Sequence, residues 1–228
     1  MKLNLISRKP EAPGVESFIF KPFEKVAWKA GQFFHYVLHH EPTDDRGSDR
    51  WFTISSAPSE EVVMVTTRFT DGKGSSFKKT LAGLKIGDDI EVSDLDGEFF
   101  VEDLSKEYVF IAGGIGITPF RSILKDLDQK KGQPSITLLY ASRDANIVFK
   151  DELESFAKNN PSLKIHYIIS PERINVGKIK EFVPDRQKPQ FYISGPEPMV
   201  ESLGNALKDA GIPADHIKQD WFPGYPAE

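Results

Sequence analysis

Apolar positions along the N-terminal part of the chain come in short runs rich in β-branched and aromatic residues, at 15–20, 33–39, 51–55, 62–69 and 89–93. Turn formers separate them: Pro13-Gly14, Asp44-Asp45-Arg46-Gly47, Ala57-Pro58-Ser59-Glu60-Glu61 and Ile86-Gly87-Asp88-Asp89. Closely spaced strands punctuated in this way predict an antiparallel sandwich or barrel. One stretch, 75–84, has a helical period instead, with Phe77, Leu81 and Leu84 on one face.

Beyond Asp103-Leu104-Ser105-Lys106 the rhythm changes. A continuous apolar strand at 108–112 leads into an amphipathic stretch at 119–131 carrying Phe120, Ile123, Leu124 and Leu127. Strands at 136–140, 163–169, 191–194 and 216–222 then alternate with helices at 149–158, 176–182 and 198–210. Buried-type strands alternating with helices predict a parallel, doubly wound sheet. Two domains follow, 1–103 of β class and 104–228 of α/β class.

Composition narrows the chemistry. With 228 residues, 39% hydrophobic and 28% charged, the chain has the make-up of an ordinary globular protein. Its formal net charge of −5 argues against nucleic acid as a partner. The absence of Cys excludes a disulfide, a catalytic thiolate and a Cys-ligated iron–sulfur cluster within this chain. The five His have no metal-ligand spacing, and His39-His40, being adjacent, would point to opposite faces of a strand; no metal site is expected. Charge interrupts the N-terminus too early for a signal-peptide core, and no apolar run reaches the ~18 residues that span a bilayer. A cytoplasmic location is therefore expected.

Three segments carry candidate chemistry. Gly113-Gly114-Ile115-Gly116-Ile117-Thr118-Pro119 follows a strand, with Thr118 placed as an N-cap and Pro119 as the first helical residue. Free amides and the positive helix end would then face an anion, and glycines would let a pyrophosphate approach closely. Ser142-Arg143, at the end of the next strand, offers a hydroxyl and a guanidinium to a 2′-phosphate, which favours NADPH over NADH although Asp144 follows. Ser194-Gly195-Pro196-Glu197-Pro198-Met199 ends another strand at the carboxyl edge, where ligands of such sheets bind.

In the β half, Arg50-Trp51-Phe52-Thr53 sets a cation, an aromatic plate and a hydroxyl on one strand, with Arg50 and Phe52 sharing a face. Arg50 suits a pyrophosphate, Phe52 a flavin ring and Thr53 a hydrogen bond near flavin N5. Asp71-Gly72-Lys73-Gly74-Ser75-Ser76 supplies a second glycine- and hydroxyl-rich helix start.

Together these segments resemble, in order and over nearly the whole chain, the ferredoxin–NADP⁺ reductase superfamily. Gly31-Gln32-Phe33 precedes the flavin strand, and Arg50–Ser56 resembles the family's Arg-x-Tyr-Ser/Thr-x-Ser. Gly72–Ser76 is similar to its Gly-x-x-Ser, 113–119 to its Gly-Gly-x-Gly-Ile-Thr-Pro, and 194–199 to its Cys-Gly-Pro-x-x-Met. The resemblance implies a Greek-key β-barrel binding FAD (FMN less so), then a five-stranded nucleotide domain in 3-2-1-4-5 order. It carries Arg50, Trp51, Phe52, Thr53, Thr67, Gly72, Gly74, Ser75 and Ser76 to the flavin. It carries Gly113, Gly114, Gly116, Thr118, Ser142, Arg143, Ser194, Gly195 and Met199 to NADPH or NADH. Thr53, Ser194 and Phe222 stand nearest the chemistry, and Phe222 or Tyr225 is expected to shield the flavin face.

Three positions depart from the family. Phe52 replaces Tyr and Ser194 replaces Cys, while the terminal Glu-x-Phe segment is represented by Asp220-Trp221-Phe222. The function expected is hydride transfer from NAD(P)H to bound FAD, then single-electron delivery to a separate redox protein of ferredoxin or flavodoxin type. A free-flavin reductase and a non-catalytic nucleotide-binding module stay open beside it.

Overall fold

The computed structural model describes residues 1–69 and 74–222, with Phe222 described by its backbone alone. The chain divides into two compact units, Met1–Phe100 and Val101–Glu228.

In the first unit six strands form one antiparallel curled sheet. These are β1 (Lys2–Ala12), β2 (Val15–Pro22), β3 (Phe33–Val37), β4 (Asp49–Thr53), β5 (Val63–Arg68) and β6 (Asp89–Asp96), in the order β4-β3-β6-β1-β2-β5. The two edges approach each other just past β4, where the Ser55 amide donates to the Met64 carbonyl at 2.7 Å. Inward side chains of these strands, Leu5, Phe18, Phe20, Tyr36 and Val65 among them, meet in one apolar core. Helix α1 (Ser76–Gly83) drops Phe77 and Leu81 into that core, and its N-cap is Ser75, whose hydroxyl accepts from the Lys78 amide.

Strand β1 is the element that the sequence pattern does not announce. Its inward positions Leu3 and Leu5 are fully buried and Ile6, alternating outward, is 44% exposed, but the register with β2 shifts between Leu5 and Ser7. The bulge breaks the period-two signal after only two apolar positions, and charged Arg8 and Lys9 follow.

The second unit is a five-stranded parallel sheet built from β7 (Glu107–Gly113), β8 (Ser135–Ser142), β9 (Leu163–Ile169), β10 (Gln190–Pro196) and β11 (Ile217–Phe222). Their order, β11-β10-β7-β8-β9, is 3-2-1-4-5 when the strands are numbered within the unit, as expected. The helices between them are α2 (Thr118–Lys130), α3 (Lys150–Asn159), α4 (Val176–Phe182) and α5 (Glu197–Asp209). Strand β7 is buried on both faces after Glu107, because helices cover both sides of the sheet. On one side Phe110 stacks on Phe120 of α2, with ring centroids 4.7 Å apart. On the other, Val109 and Ile111 join Phe191, Val200 and Leu203. The chain leaves β7 towards β8 on one side and returns as β10 on the other, so the strand order reverses between β7 and β10, the position whose carboxyl edge takes ligands in such sheets. Among the described residues no helix is long and apolar enough to cross a membrane.

Candidate functional site

At the reversal point three short segments interlock. Gly113 ends β7, a tight 3₁₀ turn covers Gly114–Ile117, and α2 begins at once with Thr118. Gly114 adopts φ +52°, a left-handed conformation that glycine holds without strain. A Cβ on Gly116 would lie 2.2 Å from the Ser194 carbonyl oxygen, and one on Gly113 would lie 2.5 Å from Met199 Sδ. One on Gly195 would sit 3.2 Å from the Gly113 backbone. These glycines, assigned by sequence to a ligand's approach, serve first to let β7, the turn and the end of β10 touch one another. Gly113, Gly116, Ser194, Gly195 and Met199 are thereby brought together.

Thr118 differs from the sequence expectation. It is not an N-cap but a helical residue (φ −58°, ψ −47°), 3% exposed, and its hydroxyl donates to the Ile115 carbonyl at 3.1 Å. The cause is the 3₁₀ turn, which runs into α2 without the extended residue that a side-chain cap requires. Pro119 accordingly stands one position further into the helix than expected.

Ser142 and Arg143 lie at the same edge, just past Ala141, which pairs with Gly113 across β7 and β8. Ser142 is partly exposed and Arg143 exposed. On the other flank, Ser194 of β10 pairs in register with Asp220 of β11 and is itself fully buried. Its hydroxyl donates to Asp220 Oδ2 at 3.3 Å. Burial pushes the Asp220 carboxyl from its ordinary 3.8 up to about 7, and the Ser194 hydrogen bond only partly opposes that rise. Sequence reasoning noted Asp220 only as a replacement; its partnership with Ser194 comes from the parallel register. The Phe222 backbone pairs with Pro196 beside this group, and Tyr225 lies outside the described residues.

In the first unit the strand register explains how Arg50–Thr53 is arranged. Arg50 stands opposite Tyr36 and Phe52 opposite Phe34, so both share the face of two buried aromatics. The Phe52 ring packs between Tyr36 and Phe77, each 5.8 Å away. Trp51 points the other way, half exposed and stacked on His35 at 4.6 Å. Thr53 is 4% exposed at the end of β4, and Thr67, on β5, is 1% exposed with no hydrogen-bond partner for its hydroxyl among the described residues. A Cβ on Gly74 would meet only Lys78, at 3.9 Å, while Ser75 caps α1 and Gly72 lies outside the described residues.

Asp44 escaped the sequence reading, which treated its turn as punctuation. Its Oδ2 accepts the Ser76 amide at 2.5 Å, the first of α1, while its own amide donates to Ser76 Oγ at 3.0 Å. Its Oδ1 lies 3.6 Å from Arg50 Nη2. Arg50 Nη1 donates to the carbonyls of Arg46 and Asp49, and Nη2 is buried with no hydrogen bond among the described residues. The helix start and Arg50 thus form an anion cradle, and a carboxylate of the chain itself sits in it. The Ser76 amide holds that carboxyl below its ordinary range.

Residues 110–204 match the family model described as the oxidoreductase NAD-binding domain. Among curated proteins, the toluate 1,2-dioxygenase electron transfer component of Pseudomonas putida is 28% identical over 197 residues, 82% of this chain and 56% of that protein. The ferredoxin reductase component of a 3-ketosteroid-9-alpha-monooxygenase from Mycolicibacterium smegmatis is 28% identical over 211 residues, 87% of this chain and 57% of that protein. The chain therefore spans a little over half the length of these relatives. Among solved structures, the FAD/NAD-binding domain of a nitric oxide dioxygenase from Vibrio cholerae superposes with a TM-score of 0.84 at 19% identity, covering 97% of this chain and 98% of that one. Ferredoxin–NADP⁺ reductase of Plasmodium falciparum superposes with a TM-score of 0.81 at 20% identity, covering 97% and 95%. Both share the fold.

FAD is tested by two features of the first unit. The Asp44 carboxylate is a stand-in anion at the Ser76 amide, and Arg50 Nη2 is a buried donor with no hydrogen-bond acceptor among the described residues. A pyrophosphate oxygen supplies both needs, so the residues fit the group.

Two variants test the geometry. Gly116→Ala drives a methyl into a backbone carbonyl, and such overpacking is expected to destabilise the fold by about 1–3 kcal/mol in thermal melts. An unchanged melting temperature would show that the contact is readily relieved. Asp220→Asn tests the buried carboxyl. Folding retains a proton there that the unfolded chain loses above 3.8, so the stability it confers is full below that pH and is lost as pH rises through about 7. The variant should therefore melt above the wild type at alkaline pH, with the gap closing under acid; a gap independent of pH would contradict the assignment.

Proposed function

We propose that this chain is a reductase of the ferredoxin–NADP⁺ reductase superfamily that draws on NAD(P)H, holds FAD in Met1–Phe100 and serves a separate redox-protein acceptor. The supporting observation is the glycine interlock of 113–116 with 194–199 at the sheet's reversal point, the place where open α/β sheets take nucleotides. A bound flavin supplies acceptance of a hydride and release of electrons one at a time.

The protein's own groups hold and orient. In this reading Arg50, Gly72, Gly74, Ser75 and Ser76 take the FAD pyrophosphate, while Trp51, Phe52, Thr53 and Thr67 border the flavin. Gly113, Gly114, Gly116 and Thr118 shape the turn for the dinucleotide pyrophosphate, and Ser142 with Arg143 takes a 2′-phosphate. Ser194, Gly195 and Met199 orient the nicotinamide. Asp220 orients the Ser194 hydroxyl by accepting its hydrogen bond. Without the family's Cys, this pair is the polar positioning device beside the nicotinamide.

A free-flavin reductase is the second reading, and Asp44 favours it, because a cradle already filled by a carboxylate holds an incoming flavin less tightly. Yellow colour that survives gel filtration supports a resident cofactor, whereas colourless protein that reduces added flavin supports the second reading. Anaerobic titration with NADPH and then NADH should bleach flavin absorbance; failure of both would leave only a nucleotide-binding module. Arg143→Ala is expected to raise KM for NADPH about ten-fold or more while leaving KM for NADH within about two-fold. Equal changes in both would remove Arg143 from the 2′-phosphate role.

A further inference from the structure

In the segment joining β3 to β4, Asp44 makes hydrogen bonds both within the loop and to α1. Within it the Arg46 amide donates to Asp44 Oδ1 and the Gly47 amide to the Asp44 carbonyl, at 3.0 and 3.1 Å. Outside it Asp44 bonds reciprocally with Ser76 and faces Arg50, which in turn donates to the carbonyls of Arg46, Gly47 and Asp49. The same segment borders an open hollow of about 430 Å³ lined by His39, His40, Glu41, Thr43, Gly47 and Ser48. Polar contacts centred on one carboxylate hold the loop, and it has room beside it to move.

We propose that Asp44 is a built-in competitor for the flavin phosphate: its carboxylate occupies the Ser76–Arg50 cradle, and a phosphate group binds there only by displacing it and the 44–47 loop. The inference rests on the flavin reading for the identity of the incoming phosphate.

The physical basis is a simple exchange. A carboxylate brings one negative charge and two acceptor oxygens, whereas a pyrophosphate brings more of both and can meet the Ser76 amide and the unsatisfied Arg50 Nη2 together. Displacing Asp44 breaks its two bonds to Ser76 and frees Arg50 Nη1 from the loop carbonyls. Apparent affinity is then the intrinsic affinity scaled by the fraction of molecules with the loop released. Ligands that carry phosphate feel this penalty, and riboflavin, which has none, does not.

Fluorescence titrations of the flavin-free full chain with FAD, FMN and riboflavin test this, using wild type, Asp44→Asn and Asp44→Ala. Both variants are expected to bind FAD and FMN about ten-fold more tightly and riboflavin within about two-fold of wild type. Trypsin provides a readout independent of flavin, because Arg46 lies on the exposed loop. Inorganic pyrophosphate should speed cleavage after Arg46 in the wild type, and Asp44→Asn should be cut at the faster rate without it. Weaker FAD binding by both variants, an equal shift for riboflavin, or cleavage unaffected by pyrophosphate and by Asp44→Asn would each overturn the competitor role. Pyrophosphate-accelerated cleavage in a protein that binds no flavin at all would instead keep the displaceable loop and sink the flavin reading.

Discussion

The carboxyl edge of the parallel sheet depends on how closely two stretches of backbone approach where Gly116 meets the Ser194 carbonyl. No side chain fits there, since even a methyl would overlap that oxygen. Because the contact is backbone against backbone, it fixes the turn after β7 relative to the end of β10. With β10 placed, the parallel register sets Asp220 beside Ser194 and the Phe222 backbone beside Pro196. One missing Cβ thus lets the turn after β7 pack directly on the strand that carries Ser194.

The curled sheet meets a different constraint with charge. A helix start presents amides that need acceptors, and a guanidinium brought partly out of water needs a counter-ion. Here Asp44 answers both from within the chain, although Arg50 Nη2 has no hydrogen bond among the described residues. An anion-binding feature satisfied by its own chain is stable when empty and weaker towards an external ligand. Affinity for an external anion at such a feature becomes a balance between two anions, which a single substitution can tilt.

The Ser194–Asp220 pair joins the two kinds of constraint. Backbone register puts the carboxyl beside the hydroxyl, and burial then raises its proton affinity to a value near neutrality. Its charge state, and with it the strength of the hydrogen bond that orients Ser194, changes near physiological pH.

Much of this was legible in the order of the residues. Strand and helix periods placed β2 to β11 and α1 to α5 to within a few residues, and the 113–119 and 194–199 segments marked the right sheet edge, because local backbone preferences and burial patterns are written in sequence. Strand β1 was hidden because a bulge after Leu5 shifts its pairing, so that Arg8 rather than an apolar residue next stands opposite buried Phe18 and the alternation is cut short. Thr118 has the residue type of a cap, but a preceding 3₁₀ turn decided otherwise. The glycine-to-carbonyl contact, the Ser194–Asp220 pair and Asp44 in the cradle belong wholly to the tertiary structure. Each joins groups far apart in the chain, and which donor meets which acceptor is set by strand register and loop path, quantities that no local pattern encodes.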